Sequence, residues 1–212
     1  MKNIKDELQN IIIGNEPIGY GNQLKKVQNF LKENASSSIG TQKQKHFKRE
    51  EEIKLIEFIE EENLFYTDEV SEKDFIAAGA EQRVYRFDDF TVIKLNDSIF
   101  YECWYDYLNS LLIHNYFFHA TSYQLLGFKL SNEKLYAVVK QDFISTDEIT
   151  DTNTVKSFLE YNDFRNIRNN DYFNKKLGVI FEDLHDENVL TKQGIFYFID
   201  TIFYLTEEFF EK

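Results

Sequence analysis

The stretch that decides the fold reads Val179-Ile-Phe-Glu-Asp-Leu-His-Asp-Glu-Asn-Val-Leu-Thr-Lys-Gln-Gly-Ile-Phe-Tyr-Phe-Ile-Asp-Thr201. It sets three polar side chains in an apolar frame: Asp183, Asn188 five residues later, and Asp200 twelve residues after that. The apolar residues on either side of Lys192-Gln193-Gly194 predict a β-hairpin with a glycine-containing turn. The first aspartate lies on the loop that feeds this hairpin.

The predicted hairpin brings the polar residues together. Pairing Thr191 with Ile195 places Asn188 opposite Phe198, and Asp200 two residues further along the same face. Diagonal neighbours of that kind lie roughly 7–8 Å apart, a gap that one metal ion can bridge. Asn188 and Asp200 are therefore predicted to bind a metal. The alternative is an ordinary exposed hairpin with Asp and Asn at its turns.

The composition limits the classes of protein to consider. The chain has 212 residues, 42% hydrophobic and 17% aromatic, which suits one domain of two lobes, or one domain with an N-terminal appendage. A net charge of -13 argues against nucleic acid or an anionic membrane surface as partner, although an acidic protein can still hold a local nucleotide pocket. Cys103 is the one cysteine, so no intramolecular disulfide can form, which fits a reducing compartment. No apolar run has the length of a membrane span or the pattern of a signal peptide. The sequence therefore predicts a cytoplasmic protein.

The first 63 residues are predicted to be helical. Three helices are expected from apolar spacing, over residues 1–13, 22–34 and 49–63. In the third helix, Ile53, Ile56 and Ile59 form one stripe, and the glutamates at 50–52 and 60–62 are interpreted as a solvated face. Between the second and third helices, a serine-rich linker is predicted at residues 35–41, with phosphorylation of Ser36–Ser38 as the alternative reading.

From Phe75 the pattern changes to strands. Strands are predicted over 77–85 and 91–95, followed later by a hairpin over 121–141 that turns at Ser131-Asn132-Glu133. Lys94 shares its strand with apolar and β-branched neighbours, where a lysine is unusual unless it is paired or binds a ligand. The alternative is a lysine on an edge strand that prevents aggregation.

Two further helices are predicted around that hairpin. Asn96-Asp97-Ser98 is expected to cap a helix over residues 99–114, on which Glu102 and Asp106 lie one turn apart. Its buried stripe is predicted to be Trp104, Leu108, Leu111 and Leu112. A second helix is predicted over 152–167, followed by a polar stretch to Lys176.

The chain resembles the small kinase domain found in polyvalent proteins of phages and conjugative elements, over about residues 50–205. The matching pieces are Gly79-Ala80-Glu81, Val84-Tyr85, Val92-Ile93-Lys94-Leu95, Leu112 to Tyr116, Leu125 to Phe128, Val138 to Gln141, Glu182 to Leu190 and Phe198 to Thr201. The resemblance implies an α+β, protein-kinase-like fold of two lobes. It predicts an N-terminal helical region over 1–63, an N-lobe with an antiparallel sheet over 64–142, and a truncated, mostly helical C-lobe over 143–212.

The resemblance also implies ATP and Mg²⁺ as cofactors and assigns the polar residues to catalysis. Asp183 would accept the proton of the attacking hydroxyl, His185 would assist weakly, and Asn188 and Asp200 would hold Mg²⁺ on the ATP phosphates. Lys94 would contact the α- and β-phosphates. It would pair with a glutamate on the next helix, for which Glu102 is the first candidate and Asp106 the second.

Further residues are implied to surround the nucleotide. Gly79 and Ala80 would belong to the glycine-rich loop, although only one of the three motif glycines is present. Val138 would line the adenine pocket, and Lys140 and Asp142 belong to the segment that leaves the sheet as the hinge.

The sequence departs from ordinary kinases in ways that leave the acceptor open. Phe181 and Glu182 replace the usual His and Arg before the catalytic aspartate, and Thr201 follows Asp200 in place of Phe-Gly. Only twelve residues follow Asp200, so the usual activation segment is not expected. A protein substrate is the first expectation. The alternatives are an aminoglycoside- or choline-kinase-like enzyme acting on small molecules, and a nucleotide-binding pseudokinase or adaptor.

Overall fold

The computed structural model describes residues 3–14, 22–34, 44–79 and 82–211. The predicted linker with Ser36–Ser38, and Ala80 of the glycine-rich loop, lie outside these residues. The chain divides into two compact units. We call residues 17–108 and 123–143 the sheet unit, and residues 1–16, 109–122 and 144–212 the hairpin unit. The predicted domain boundaries stay a prediction, because compactness alone does not define independently folding domains.

The sheet unit is built on five antiparallel strands. They are β1 (Phe75–Ala78), β2 (Gln82–Arg86), β3 (Thr91–Asn96), β4 (Gln124–Ser131) and β5 (Lys134–Asp142), in the order β1-β2-β3-β5-β4. This confirms the predicted antiparallel sheet. At the β4–β5 turn, Asn132 and Glu133 have φ of 51° and 62°, the two-residue turn whose twist suits a hairpin.

One position in this sheet requires glycine because two backbone segments lie close together there. Gly127 lies at a bulge in β4 with φ of 150°, and a Cβ there would stand 2.4 Å from the carbonyl oxygen of Leu64. The segment from Leu64 to Tyr66, which precedes the sheet in the sequence, lies beside β4 at this point. Phe128 N–H donates to Leu64 O, and Tyr66 N–H donates to Phe128 O. Glycine is needed here because any side chain would push the two backbones apart.

Helices α2 (Gln23–Asn34), α3 (Gln44–Glu61) and the first residues of α4 (Trp104–Phe117) complete the sheet unit. The buried face of α3 consists of Leu55 and Ile59, whereas Ile53 is 52% exposed, so the predicted stripe is wrong at that position. The α4 helix begins five residues later than predicted. The predicted buried stripe of Trp104, Leu108, Leu111 and Leu112 is confirmed.

The predicted cap of this helix is also wrong. Asn96 Oδ1 accepts from Ser98 N–H and Asp97 Oδ1 from Ile99 N–H, so both side chains stabilise a turn before the helix. The first backbone N–H groups of α4 instead reach Glu51 on α3, whose carboxylate accepts from Trp104 N at 2.6 Å and Tyr105 N at 3.2 Å. A carboxylate suits this place because these N–H groups have no partner within the helix.

Two neighbours of Glu51 extend this contact, and together the three residues form the α3–α4 clamp. Lys48 Nζ donates to the carbonyl oxygens of Ser98 and Tyr101 at 2.6 and 2.9 Å. Glu52 accepts from the indole Nε1 of Trp104 at 2.9 Å. The interpretation of these glutamates as a solvated face is therefore wrong for Glu51 and Glu52. Burial raises the pKa of Glu51 to about 7.

The hairpin unit has six strands and two helices among its described residues from 144 onward, so the predicted mostly helical C-lobe is wrong. Its elements are α1 (Ile4–Ile12), α5 (Thr152–Tyr161), β6 (Arg165–Arg168), β7 (Asp171–Asn174), β8 (Val179–Glu182), β9 (Val189–Lys192), β10 (Ile195–Phe198), β11 (Ile202–Leu205) and α6 (Glu207–Phe210). The order β11-β8-β7-β6 forms an antiparallel sheet, and β9 pairs with β10. The predicted helix over 152–167 ends at Tyr161, because the chain turns at Asp163, whose φ is 64°.

Phenylalanine rings form the core of the hairpin unit. Phe118 stacks on Phe198 and Phe181 on Phe203, each pair with ring centroids 4.3 Å apart. Such pairs contribute beyond their buried area and fix the β8, β10 and β11 strands against one another. None of the helices that the structure describes has the length and apolar character needed to cross a membrane.

Candidate active site

The loop between β8 and β9 carries three of the predicted site residues within the hairpin unit. Asp183 follows β8 directly and has φ of 62°, a left-handed conformation that is uncommon for a residue other than glycine. Its backbone N–H donates to Asp171 Oδ1 at 3.2 Å. The next residue, Leu184, is buried, and its N–H donates to Asn170 O at 3.2 Å. The β6–β7 hairpin therefore holds the loop at its start.

Asn188 closes the loop by bonding back to its first residue. Its side-chain Nδ2 donates to the backbone carbonyl oxygen of Asp183 at 2.8 Å and to the carboxylate Oδ2 at 3.0 Å. His185 lies beside both residues, with Nε2 3.1 Å from Asn188 Nδ2 and 3.4 Å from Asp183 Oδ1. Asp183, His185 and Asn188 thus converge within one loop. The Asp183 side chain is 53% exposed, so its carboxylate is open to an incoming group.

The charge around this loop is negative. Glu182 precedes Asp183, and burial together with the charges of Asp171 and Asp183 raises its pKa above the usual range. Carboxylates that disfavour one another's ionisation are stabilised by a cation, so the loop is suited to a positive ligand. Among the described residues there is no cluster of three or more His, Cys, Asp or Glu side chains placed to hold a metal. A metal here would need ligands of other kinds.

The hairpin that leads to Asp200 has a different register from the predicted one. Lys192 pairs with Ile195 and Val189 with Phe198, one residue away from the predicted pairing. The reason is a two-residue turn: Gln193 and Gly194 have φ of 53° and 73°, which closes the hairpin without an additional residue.

Asn188 is therefore opposite Ile199, whose N–H donates to Asn188 O at 3.0 Å. The argument that Asn188 and Asp200 share a strand face is wrong. Asp200 lies at a bend after the paired residues, one residue beyond the partner of Asn188. The two residues are still neighbours through the backbone.

The side chains present fit Mg²⁺. Asn188 contacts Asp183 through its Nδ2, so its Oδ1 is not used in these bonds, and that oxygen is the atom a hard cation prefers. Asp200 adds a half-buried carboxylate. Mg²⁺ is commonly held by one or two such groups together with water and phosphate oxygens, so a cluster of three acidic residues is not required.

Lys94 occupies the middle of the sheet unit. It lies on β3 between β2 and β5, paired with Val84 and Val139, and it is 3% exposed. Its Nζ stands 5.5 Å from the centre of the Tyr123 ring. Because β3 is an interior strand, the alternative of an edge-strand lysine is wrong. A buried lysine in this position points to a specific polar or ligand contact.

Comparison with known proteins places the chain in a family. A family model described as "Serine/Threonine/Tyrosine Kinase found in polyvalent proteins" matches residues 48–207. The match covers well over half of the 212 residues. The chain belongs to this kinase family. The predicted resemblance is thereby confirmed, while no curated protein and no solved structure matches the chain.

The other predicted site residues that the structure describes lie in the sheet unit. Gly79 follows β1 at the turn to β2, as a glycine-rich loop would, and its N–H donates to Gln82 O. A Cβ on Gly79 would meet nothing within 4 Å, so packing does not require glycine there. Val138 is fully buried on β5. Its predicted contact with adenine is not visible without a ligand and stays a prediction.

Lys140 and Asp142, the predicted hinge residues, lie at the end of β5. Lys140 is half-buried with Nζ 5.7 Å from the Phe87 ring, and Asp142 is exposed as the last residue of the strand. The next residue, Phe143, bonds to Phe90 O through its N–H and ends the sheet unit. The hinge role of Lys140 and Asp142 stays a prediction.

The glutamate partner of Lys94 stays a prediction. Glu102 is exposed and precedes α4, so it is not on the helix that the sequence predicted for it. Asp106 lies in the first turn of α4, where it accepts a hydrogen bond from Cys103 Sγ at 3.2 Å. Burial raises the pKa of Asp106 and that of the Cys103 thiol, which makes the thiol unreactive.

Sequence reasoning missed the residues that hold the loop. Asp171 and Asn170 lie in a stretch that was interpreted only as polar, yet they bond to Asp183 and Leu184. No pattern in the sequence indicates these contacts, because they join a hairpin turn to a loop twelve or more residues away.

Proposed function

We propose that this protein is an ATP- and Mg²⁺-dependent phosphotransferase that moves the γ-phosphate to a hydroxyl group. The observation that carries the proposal is the loop in which Asn188 bonds both the backbone and the carboxylate of Asp183. This arrangement fixes an exposed carboxylate beside an amide oxygen that can bind a cation. Phosphoryl transfer needs positioning and charge stabilisation more than covalent help from the protein.

Asp183 would bind and orient the acceptor hydroxyl. Its left-handed backbone and its bond to Asp171 keep the carboxylate at the loop surface, where an acceptor oxygen can approach to roughly 2.6–3.2 Å. The carboxylate would then take the hydroxyl proton late in the transfer. His185 contacts Asp183 and Asn188, and its place in the loop supports a role in holding their side chains in position.

Asn188 Oδ1 and the Asp200 carboxylate would hold the metal. Bound Mg²⁺ supplies positive charge against the β- and γ-phosphate oxygens. The protein's part is to keep both ligands in place before the metal arrives. Asn188 is held through its Nδ2, and Asp200 follows the residue that bonds to Asn188 O.

Lys94 would donate to the α- and β-phosphates. A charge-assisted contact of this kind contributes about 1.5–3 kcal/mol. Glu102, or Asp106 in its place, would pair with the lysine when the site is assembled. Gly79, Ala80, Val138, Lys140 and Asp142 are proposed to surround the nucleotide.

The family description supports a serine, threonine or tyrosine hydroxyl as the acceptor. The alternatives are a small alcohol and no acceptor at all, as in an adaptor that binds nucleotide without turnover. These three possibilities differ in the fate of the γ-phosphate, so one assay with several acceptors separates them.

The experiment follows label from γ-labelled ATP with Mg²⁺ or with EDTA. The acceptors are the protein itself, a mixture of unfolded proteins, and a panel of aminoglycosides, choline and simple sugars. We expect Mg²⁺-dependent label on protein hydroxyls. A variant with Ser36, Ser37 and Ser38 changed to alanine shows whether that segment is the site of self-labelling. Label only on small alcohols would support a phosphotransferase that acts on small molecules. No label on any acceptor would support the nucleotide-binding adaptor.

A further inference from the structure

A fully buried polar network lies next to Asp200 in the hairpin unit. It consists of His114 on α4, Thr121 in the short turn after it, and Thr201, which are 0%, 1% and 7% exposed. The His114 ring lies between two partners, with Nδ1 2.7 Å from Thr201 Oγ1 and Nε2 2.7 Å from Thr121 O. Thr121 Oγ1 donates in turn to the carbonyl oxygen of Phe198 at 2.6 Å.

The chemistry of the partners fixes the direction of these bonds. A carbonyl oxygen only accepts, so Nε2 of His114 carries the proton that bonds to Thr121 O. In the neutral ring, Nδ1 then has a lone pair and accepts from the Thr201 hydroxyl. Each polar atom in the chain of bonds therefore has a donor matched to an acceptor. Such complete pairing is needed where no water reaches the groups.

The network bonds to residues before and after Asp200 in the sequence. Phe198, which gives its carbonyl oxygen, is two residues before Asp200, and Thr201 is the residue directly after it. A third hydrogen bond attaches this segment to α4. Phe203 N–H, two residues after Thr201, donates to the buried Ser110 Oγ at 2.9 Å. Between the attachments, Ile199 N–H bonds to Asn188 O. The backbone around Asp200 is thus fixed before and after the carboxylate.

We propose that His114, Thr121 and Thr201 are positioning residues that hold Asp200 in the orientation that binds the metal. This role rests on the proposed function, because it concerns the same metal ligand. Their proposed role requires no contact with a substrate atom. They act by restricting the backbone of Asp200, so the carboxylate is already ordered before the metal binds.

The test uses variants that separate the hydroxyl from its shape. Thr201→Val keeps the volume and removes the bond to His114, while Thr201→Ser keeps the hydroxyl. His114→Leu removes both the donor to Thr121 O and the acceptor for Thr201, and it serves should Thr201→Val fail to fold. The matched control is Thr146→Val, which removes a hydroxyl that bonds the same hairpin at Thr191 O, away from Asp200.

Two measurements are made on each variant. The first is the Mg²⁺ concentration at half-saturation, by calorimetry with a non-hydrolysable ATP analogue. We expect Thr201→Val and His114→Leu to raise it about 3- to 10-fold, with Thr201→Ser and Thr146→Val within about twofold of wild type. The second is amide hydrogen exchange in the metal-free protein, where we expect Ile199 to exchange faster in Thr201→Val than in Thr201→Ser.

The outcomes distinguish this inference from the proposed function. If Thr201→Val lowers the melting temperature but leaves the Mg²⁺ midpoint and the exchange of Ile199 unchanged, the network is structural and the positioning role is wrong. If the wild-type protein binds no Mg²⁺ with the nucleotide analogue, the proposed function fails, and the role assigned to these residues fails with it.

Discussion

Lys94 and Asp183, two candidate site residues of opposite charge, are held in the protein in opposite ways. Lys94 is 3% exposed and lies between two neighbouring strands, with Val84 and Val139 as its partners in register. Asp183 has a side chain that is 53% exposed, on a loop that is fixed by hydrogen bonds to Asn188 and Asp171. The lysine is therefore positioned by packing and the aspartate by local bonding.

The difference decides what a substitution can reveal. A change at a buried position alters packing and function together, whereas a change at an exposed position can alter function alone. Other residues follow the same division: Glu51 in the sheet unit is a largely buried charge, and Asp186 in the loop is an exposed one.

The largest effect is expected at Asp183. Asp183→Asn keeps the shape and removes the base, so transfer should fall by about 10²- to 10⁴-fold while ATP binding persists. The melting temperature should stay close to that of wild type, because asparagine tolerates the left-handed backbone at this position. Asp186→Asn makes the same chemical change at an exposed carboxylate in the same loop and should transfer phosphate normally. Equal losses in both variants would show that loop charge, not a base, is what matters.

Lys94 should show a smaller loss of function together with a loss of stability. Lys94→Ala should weaken ATP binding about tenfold or more and lower the free energy of unfolding by roughly 1–3 kcal/mol, because the aliphatic stem is removed from a packed sheet. Lys94→Met restores the stem without the charge, so it should recover stability and not binding. Lys129→Met on β4, at the edge of the same sheet, is the control. Wild-type ATP affinity in Lys94→Met would remove the lysine from the nucleotide site.

Glu51 should make stability depend on pH. Its pKa is raised to about 7 from 4.5, so between these values the folded protein keeps a proton that the unfolded chain has released. The free energy of unfolding should therefore fall as the pH rises from about 4.5 to 7, by roughly 2 kcal/mol more in wild type than in Glu51→Gln. Denaturant melts at several pH values measure this. The control is Glu57→Gln on the exposed face of α3, which should show the same pH profile as wild type. If the free energy of unfolding of wild type rises, relative to that of Glu51→Gln, between pH 4.5 and 7, the raised pKa of Glu51 is wrong.

The smallest effect is expected at Gly79. A Cβ there meets nothing within 4 Å, so Gly79→Ala should raise the free energy of unfolding by about 0.4–1 kcal/mol and change ATP affinity by less than about threefold. Gly178→Ala is the contrasting variant, because its φ is +67° and a Cβ would stand 2.1 Å from Phe209 N. Thermal melts should move in opposite directions for the two variants. A large loss of ATP affinity in Gly79→Ala would show that phosphate approaches the backbone of that residue closely.

The sequence predicted the sheet unit well because its signals are local. Alternating apolar residues indicate the strands, and Asn132-Glu133 between two such runs indicates the hairpin turn. The hairpin unit has weaker signals. All four residues of β6 are exposed, so this strand has no burial pattern to detect, and the apolar spacing of the preceding helix extends the predicted helix over most of it.

The candidate site was predictable as a set of residues but not as a geometry. The spacing of Asp183, Asn188 and Asp200 is visible in the sequence, whereas the hairpin register depends on Gln193 adopting a positive φ, which glutamine rarely does. The network from His114 to Thr201 joins residues 87 positions apart, and no local pattern indicates such a contact. The α3–α4 clamp was hidden in a run of glutamates that ordinarily marks a solvated face.

The most direct test of the central claim is a single-turnover experiment on the wild-type protein, held in excess over γ-labelled ATP. Bound nucleotide and the position of the label are measured in the same samples over time, with Mg²⁺ and with EDTA. We expect that ATP binds and that the label moves to a hydroxyl acceptor only when Mg²⁺ is present. Nucleotide that binds with Mg²⁺ while the label stays on ATP throughout would contradict the phosphotransferase and support an adaptor.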